Sequence, residues 1–241
     1  MRTDPLTLDS GLPLASSSAN RVAVLAEPPL PGRCLPGLLA AHAPEWVADL
    51  CAAMLRDTLD GLQSVDAREY VVFAPGDDEA LRVLARHVPA PWRLVGGVVD
   101  ASAAFAHLGA SSDDGTTLLV RSDAPAAPVE PLVALLAPSD ARAGESARAV
   151  APLAVMGPSR EGRAWLFGAR RGDGLTADLP WTSPELAATI RVRCTRMNVP
   201  LAQLPTATIV DAPSAVLELL EELRRHPERA PRTAQFAVTR G

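Results

Sequence analysis

The chain of 241 residues is 48% hydrophobic, enough for one sizeable core, but only 4% aromatic, so Leu, Val and Ala must fill it. Its net charge of −5 argues against a nucleic-acid partner, which would want a basic face. All 23 basic residues are arginine, which excludes Schiff-base chemistry and a Walker-type lysine; a phosphate must be met by arginine, backbone N–H groups or a metal.

Residues 1–20, ending in Ala15-Ser-Ser-Ser-Ala-Asn20, read as a flexible arm without the basic and apolar regions of a signal peptide. Residues 21–226 read as one domain and 227–241 as an irregular tail. Strand one is expected over 21–26 and runs straight into Glu27-Pro-Pro-Leu-Pro31-Gly32-Arg33. A rigid loop at the carboxyl end of a first strand is where open α/β sheets place a nucleotide. A helix over 44–62 follows, with Val47, Leu50, Cys51, Met54, Leu55, Thr58 and Leu62 in one stripe and Pro44 suited to its first turn. Next come a strand over 69–74, a helix over 77–87, a strand over 92–95 and a helix over 99–108. Asp113-Asp114-Gly115 reads as a turn before a strand over 116–120.

A helix over 128–136 and a mobile loop over 139–147 precede strands over 151–156 and 163–168. That pair has no helix between its members, which predicts an antiparallel addition to the sheet. A helix over 183–198, capped by Thr182 or Ser183, a short strand over 208–210 and a helix over 214–225 complete the pattern. The alternation predicts a three-layer α/β/α domain with a mostly parallel sheet. Cys34, Cys51 and Cys194 are odd in number and lack Cys-x-x-Cys spacing, so a reduced, cytoplasmic protein is expected. The four histidines are scattered, against a structural zinc, and no apolar run is long enough to span a bilayer.

Several segments occur in a definite order: Val22-Ala-Val-Leu-Ala26, Pro31-Gly32-Arg33, Arg56-Asp57-Thr58-Leu59, Ser122-Asp123-Ala-Pro125, Trp165-Leu-Phe-Gly168, Leu179-Pro-Trp181 and Val210-Asp211-Ala-Pro213. In that order the chain resembles a bacterial family of glycosyltransferase-A-like proteins of unassigned function. More distantly, it is similar to the guanylyltransferases of molybdenum-cofactor and coenzyme F420 synthesis. The resemblance implies the nucleotide-diphospho-sugar transferase fold and a ligand that is a nucleotide or nucleotide sugar. The family's opening loop runs Ala-Lys-x-Pro-x-Pro-Gly-x-x-Lys-Thr-Arg-Leu. Here the first lysine is Glu27, and Lys-Thr-Arg becomes Leu35-Pro36-Gly37. The family's Gly-Ser-Asp-x-Pro becomes Arg121-Ser122-Asp123-Ala124-Pro125, its Asp-Gly-Gly-Tyr turn becomes Glu161-Gly162-Arg163-Ala164, and its Asp-x-Asp-Thr becomes Ile209-Val210-Asp211-Ala212. Scaffold positions survive and most polar functional ones do not.

The resemblance implies Asp123 and Asp211 as ligands of Mg²⁺ or Mn²⁺ against a diphosphate. The local alternatives are a turn-capping Asp123 before Pro125 and an Asp211 that caps the following helix. Ala26, Glu27, Pro31, Gly32 and Arg33 would line the nucleotide site, with Gly32 and Arg33 either cradling phosphate or forming only a rigid turn. Arg121 and Arg163 replace small family residues; they either substitute for the lost cations or fill the pocket. Trp165 and Trp181 read as anchors of core or loop, and Arg191, Arg193 and Arg196 as a solvated helix face. Two classes of function remain: a sugar or nucleotidyl transferase, and a non-catalytic descendant that binds a nucleotide or a partner protein.

Overall fold

The fold is that of a computed structural model whose description covers residues 19–98, 100–109, 115–137, 154–170 and 174–240. The expected arm as far as residue 18, Asp113 and Asp114 and the 139–147 loop lie outside the described residues. Strands β1 (Arg21–Leu25), β2 (Glu69–Ala74), β3 (Arg93–Gly96), β4 (Thr116–Arg121), β5 (Ala154–Pro158), β6 (Ala164–Arg170) and β7 (Leu201–Gln203) form one sheet in the order β3-β2-β1-β4-β6-β5-β7. Helices α1 (Pro44–Leu62), α2 (Asp78–Ala85), α3 (Ala101–Gly109), α4 (Glu130–Leu136), α5 (Leu186–Arg196), α6 (Pro213–Arg225) and α7 (Pro231–Arg240) surround it.

Strand β1 lies parallel between β2 and β4, with Val22 opposite both Tyr70 and Leu118. The short turn after β5, closed by the Ser159 N–H on the Arg163 carbonyl at 2.8 Å, is too brief for a parallel crossover. Strand β6 therefore runs antiparallel to β5 and docks antiparallel on β4, and β7 pairs parallel with β5 beyond it.

Side chains alternate across the sheet, and both faces are covered. Val22, Val24, Val72, Leu118 and Val120 pack on one face with Leu55, Leu59 and Leu62 of α1 and Leu132 of α4. Ala23, Val71, Phe73, Leu119 and Phe167 pack on the other with Phe105 of α3 and Leu186 and Ile190 of α5. A third cluster joins the loop after β1 (Cys34, Leu35, Leu38) to the first half of α1 and to Val216, Leu219 and Leu223 of α6. Every residue of the predicted α1 stripe is buried, and Pro44 opens the helix.

Three segments depart from the sequence reading. Residues 208–210 form no ladder; the Val210 N–H instead donates to the Asp123 carbonyl at 2.8 Å, tying two loops together. The strand in this region is β7, which is only three residues long and gains its conformation from pairing with β5. The tail over 227–241 is not irregular: a short 3-10 turn at Pro227–Arg229 leads into α7. Pro227 and Pro231 read as breakers but each stands at a helix start, where its missing N–H costs nothing.

The start of α7 is capped from far upstream. The fully buried Asp57 carboxylate on α1 accepts the Arg232 N–H at 3.1 Å, the Thr233 N–H at 2.8 Å and the Thr233 hydroxyl at 2.7 Å. A charged acceptor of this kind satisfies the orphan amides of a helix start and favours its dipole. Asp57→Ala should cost about 1–3 kcal/mol in urea denaturation, because it strands buried donors. Asp60→Ala, which removes a half-exposed pair with Arg232, should cost no more than about 1 kcal/mol.

Candidate functional site

A cleft of about 380 Å³ opens over the carboxyl ends of β1 and β4, the edge of a parallel sheet at which ligands bind. Ala26 and Glu27 line it from the end of β1, Arg121, Ser122 and Asp123 from the end of β4, and Cys51 and Met54 from α1. Leu179, Pro180, Trp181 and Thr182 wall it from the segment before α5. A larger cavity of about 560 Å³ lies between the end of α1 and α4 and reaches Val120, Ala124 and Pro125 at the end of β4, but no residue of the loop after β1 lines it.

The centre of the cleft is an ion pair. The Arg121 guanidinium grips Asp123 in a two-pronged contact, Nε to Oδ1 at 2.9 Å and Nη2 to Oδ2 at 2.6 Å. Both side chains are nearly buried, 14% and 12% exposed. Burial pulls the Arg121 guanidinium down, but Asp123, Asp211 and Glu27 around it together hold it above its usual range. Asp211 in turn is paired with Arg163, whose side chain is 11% exposed.

The two expected metal ligands are thus each held by an arginine. A hard divalent ion needs carboxylate oxygens at about 2.0–2.6 Å, and both Asp123 oxygens already accept from a fixed guanidinium. As they stand, these residues do not fit a divalent ion. Among the described residues, no group of three or more His, Cys, Asp or Glu side chains is arranged to hold a metal. Asp211 does not cap α6 either: Ala212 holds that position, without a side-chain bond.

The loop after β1 is folded by Glu27. Its carboxylate accepts the Leu35 N–H at 2.7 Å, and Leu35 adopts a left-handed conformation at φ 44°. Such a conformation costs a side-chain-bearing residue roughly 1–2 kcal/mol. Burial of Leu35 among Val47, Leu50 and Met54 offsets it. Pro31, Gly32 and Arg33 stay exposed and do not line the cleft; Arg33 pairs with Asp77 at 3.2 Å. A Cβ at Gly37 would lie 2.0 Å from the Asp211 carbonyl oxygen. The loop is docked so closely that no side chain fits at this position.

The structure also adds residues. Asp100 lines the cleft and caps α3 by accepting the Ala103 N–H at 2.7 Å; an Asp just ahead of an apolar run was the available sequence signal. Cys51 lines it too, but its hydrogen bond with Cys34 and its burial push the thiol well up, so it is not a thiolate nucleophile. Trp181 is a cleft wall, whereas Trp165 lies in the core with its indole N–H on the Pro205 carbonyl. Arg191 and Arg196 are exposed, as a solvated helix face requires, while the half-buried Arg193 also donates to the carbonyls of Ala177 and Asp178.

No family model matches the chain, and no curated protein matches it. Solved structures do. One from Desulfovibrio desulfuricans, named provisionally as a nucleotide-diphospho-sugar transferase, superposes with a TM-score of 0.75 at 19% identity, over 91% of this chain and 94% of that one. A CMP:2-keto-3-deoxy-manno-octonic acid synthetase complexed with CTP superposes with a TM-score of 0.52 at 11% identity, over 87% of this chain and 100% of that one. A Mycobacterium tuberculosis protein complexed with manganese gives 0.51 at 16% identity, over 85% of this chain and 98% of that one. The chain has the nucleotide-diphospho-sugar transferase-like α/β fold.

The close approach of Gly37 to Asp211 has a measurable consequence. Gly37→Ala should destabilise by about 1–3 kcal/mol, since backbone must move to admit the methyl group. Thermal or urea unfolding should show a larger loss than for Gly32→Ala, where no neighbour lies within 4 Å and only the φ of 73° opposes a side chain.

Proposed function

We propose that this chain is a ligand-binding relative of the transferases that use nucleotide-activated sugars, and that its cleft takes an uncharged, nucleoside-type ligand without transferring a group. One observation carries the reading. Among the described residues lining the cleft, Arg121 is the one cation, and it stands among the carboxylates of Glu27, Asp100 and Asp123. The cleft therefore repels a diphosphate, and Arg121 is already bound to Asp123. Arg33 and Arg163, the other arginines expected to meet phosphate, are each paired with a carboxylate.

What remains is a mostly apolar slot with a few polar groups in its lining. Leu25, Leu35, Met54, Val98, Leu179 and Trp181 offer surface for a base or another flat ring, while Thr182 adds a hydroxyl. The location at the strand ends and the CTP bound to a protein of the same fold support a nucleoside as the class of occupant. Group transfer from a nucleotide donor needs the leaving diphosphate to be neutralised by a metal or cations, and the one arginine among the described residues lining the cleft is already bound to Asp123.

Titration calorimetry with uridine, cytidine and guanosine, and with their mono- and diphosphates, tests the reading. The nucleoside that binds should bind at least tenfold more tightly than its diphosphate, about 1.4 kcal/mol, with no gain from Mn²⁺. Micromolar diphosphate binding that requires Mn²⁺, or release of sugar or pyrophosphate on turnover, would overturn it in favour of an active transferase.

A further inference from the structure

We infer that Arg121 is the residue that excludes divalent metal from this cleft, its guanidinium standing as a built-in cation among the carboxylates of Asp123, Glu27 and Asp211. The inference deepens the reading above and rests on it for the identity of the cleft. Its support is geometric. Arg121 uses both oxygens of Asp123, and Glu27 lines the same cleft. Asp211 is brought alongside by two backbone contacts: the Val210 N–H donates to the Asp123 carbonyl at 2.8 Å, and Gly37 packs against the Asp211 carbonyl. The Arg121 guanidinium also reaches the Trp181 carbonyl at 3.5 Å, so it is fixed from the far wall as well.

The chemistry of the exchange is straightforward. A buried carboxylate without a cation is costly, so some positive group must accompany Asp123. A guanidinium already donating to both oxygens competes with a divalent ion for them and repels it. A guanidinium on a fixed side chain never dissociates, and it remains charged at every ordinary pH. The residue at position 121 thus decides whether the Asp123 carboxylate is available to a metal. Arg163 does not play the same part, since its partner Asp211 is 41% exposed and its carboxylate can still turn toward solvent.

The test is Mn²⁺ alone, with no nucleotide, added to the full chain and followed by calorimetry and by loss of the free-ion EPR signal. The wild-type protein should give no saturable binding below millimolar Mn²⁺. Arg121→Gly should bind Mn²⁺ at least tenfold more tightly and should melt at a higher temperature as Mn²⁺ is added. Arg121→Gly combined with Asp123→Asn should lose that gain. Arg121→Gln, which keeps the bulk but not the charge, serves the same purpose if the glycine variant does not fold. Saturable micromolar binding by the wild-type protein, or folded Arg121 variants with no gain in Mn²⁺ affinity, would overturn the inference. Neither result bears on the nucleoside ranking, so the two readings fail separately.

Discussion

The pairing of Arg121 with Asp123 is the constraint on which the site depends. Strand β4 ends at Arg121, and the chain must turn within two residues to bring Asp123 back onto the guanidinium. That turn sets the Asp123 carbonyl where Val210 can donate to it, and so fixes the loop before α6. A buried ion pair of this kind adds little net stability, because desolvation of both charges cancels most of the attraction. Its effect is conformational: leaving either partner alone would bury an unpaired charge, so the loops around it have one arrangement.

The loop after β1 is shaped by a second carboxylate used in an unusual way. Glu27 points its carboxylate inward along its own loop to the Leu35 N–H. The loop that could wrap an anion is thereby closed on itself. Leu35 and Leu38 are driven into the cluster with α1 and α6, and Gly37 is pressed against the Asp211 carbonyl. The buried leucines and the close glycine are two aspects of one packing decision. Hydrophobic burial of Cys34, Leu35 and Leu38 stabilises a loop conformation that leaves no room for a side chain at position 37.

The same logic extends to the far end of the chain. Helix α7 closes over α1 because Asp57 supplies the acceptors its first turn lacks, while Phe236 packs against Trp46 with ring centroids 5.2 Å apart. Helix α1 is therefore held by the sheet on one side, by the loop after β1 along its first half and by α7 along its back. It carries Cys51 and Met54 into the cleft, so the walls of the site rest on these contacts.

Local pattern determined most of the scaffold. The stripe of α1, the apolar run of β2 and the missing helix between β5 and β6 are each written in consecutive residues, and each element forms as its periodicity dictates. Position at the cleft was equally legible for Ala26, Glu27, Arg121 and Asp123, since a residue just past a parallel strand must sit at that edge. Partnership was not legible. That Asp123 belongs to Arg121, Asp211 to Arg163 and Asp57 to the start of α7 depends on which side chains the folded loops bring within about 3 Å, a distance at which a carboxylate becomes an ion-pair partner instead of a metal ligand. The short strand β7 was hidden because three residues carry no period, and the helical tail because Pro227 and Pro231 read as breakers; both conformations are stabilised by contacts, with β5 and with α1. Sequence alone determined where the charges of the site would be; only the tertiary structure decided what they face, because pairing in a nearly buried cleft is set by contact and desolvation, not by order along the chain.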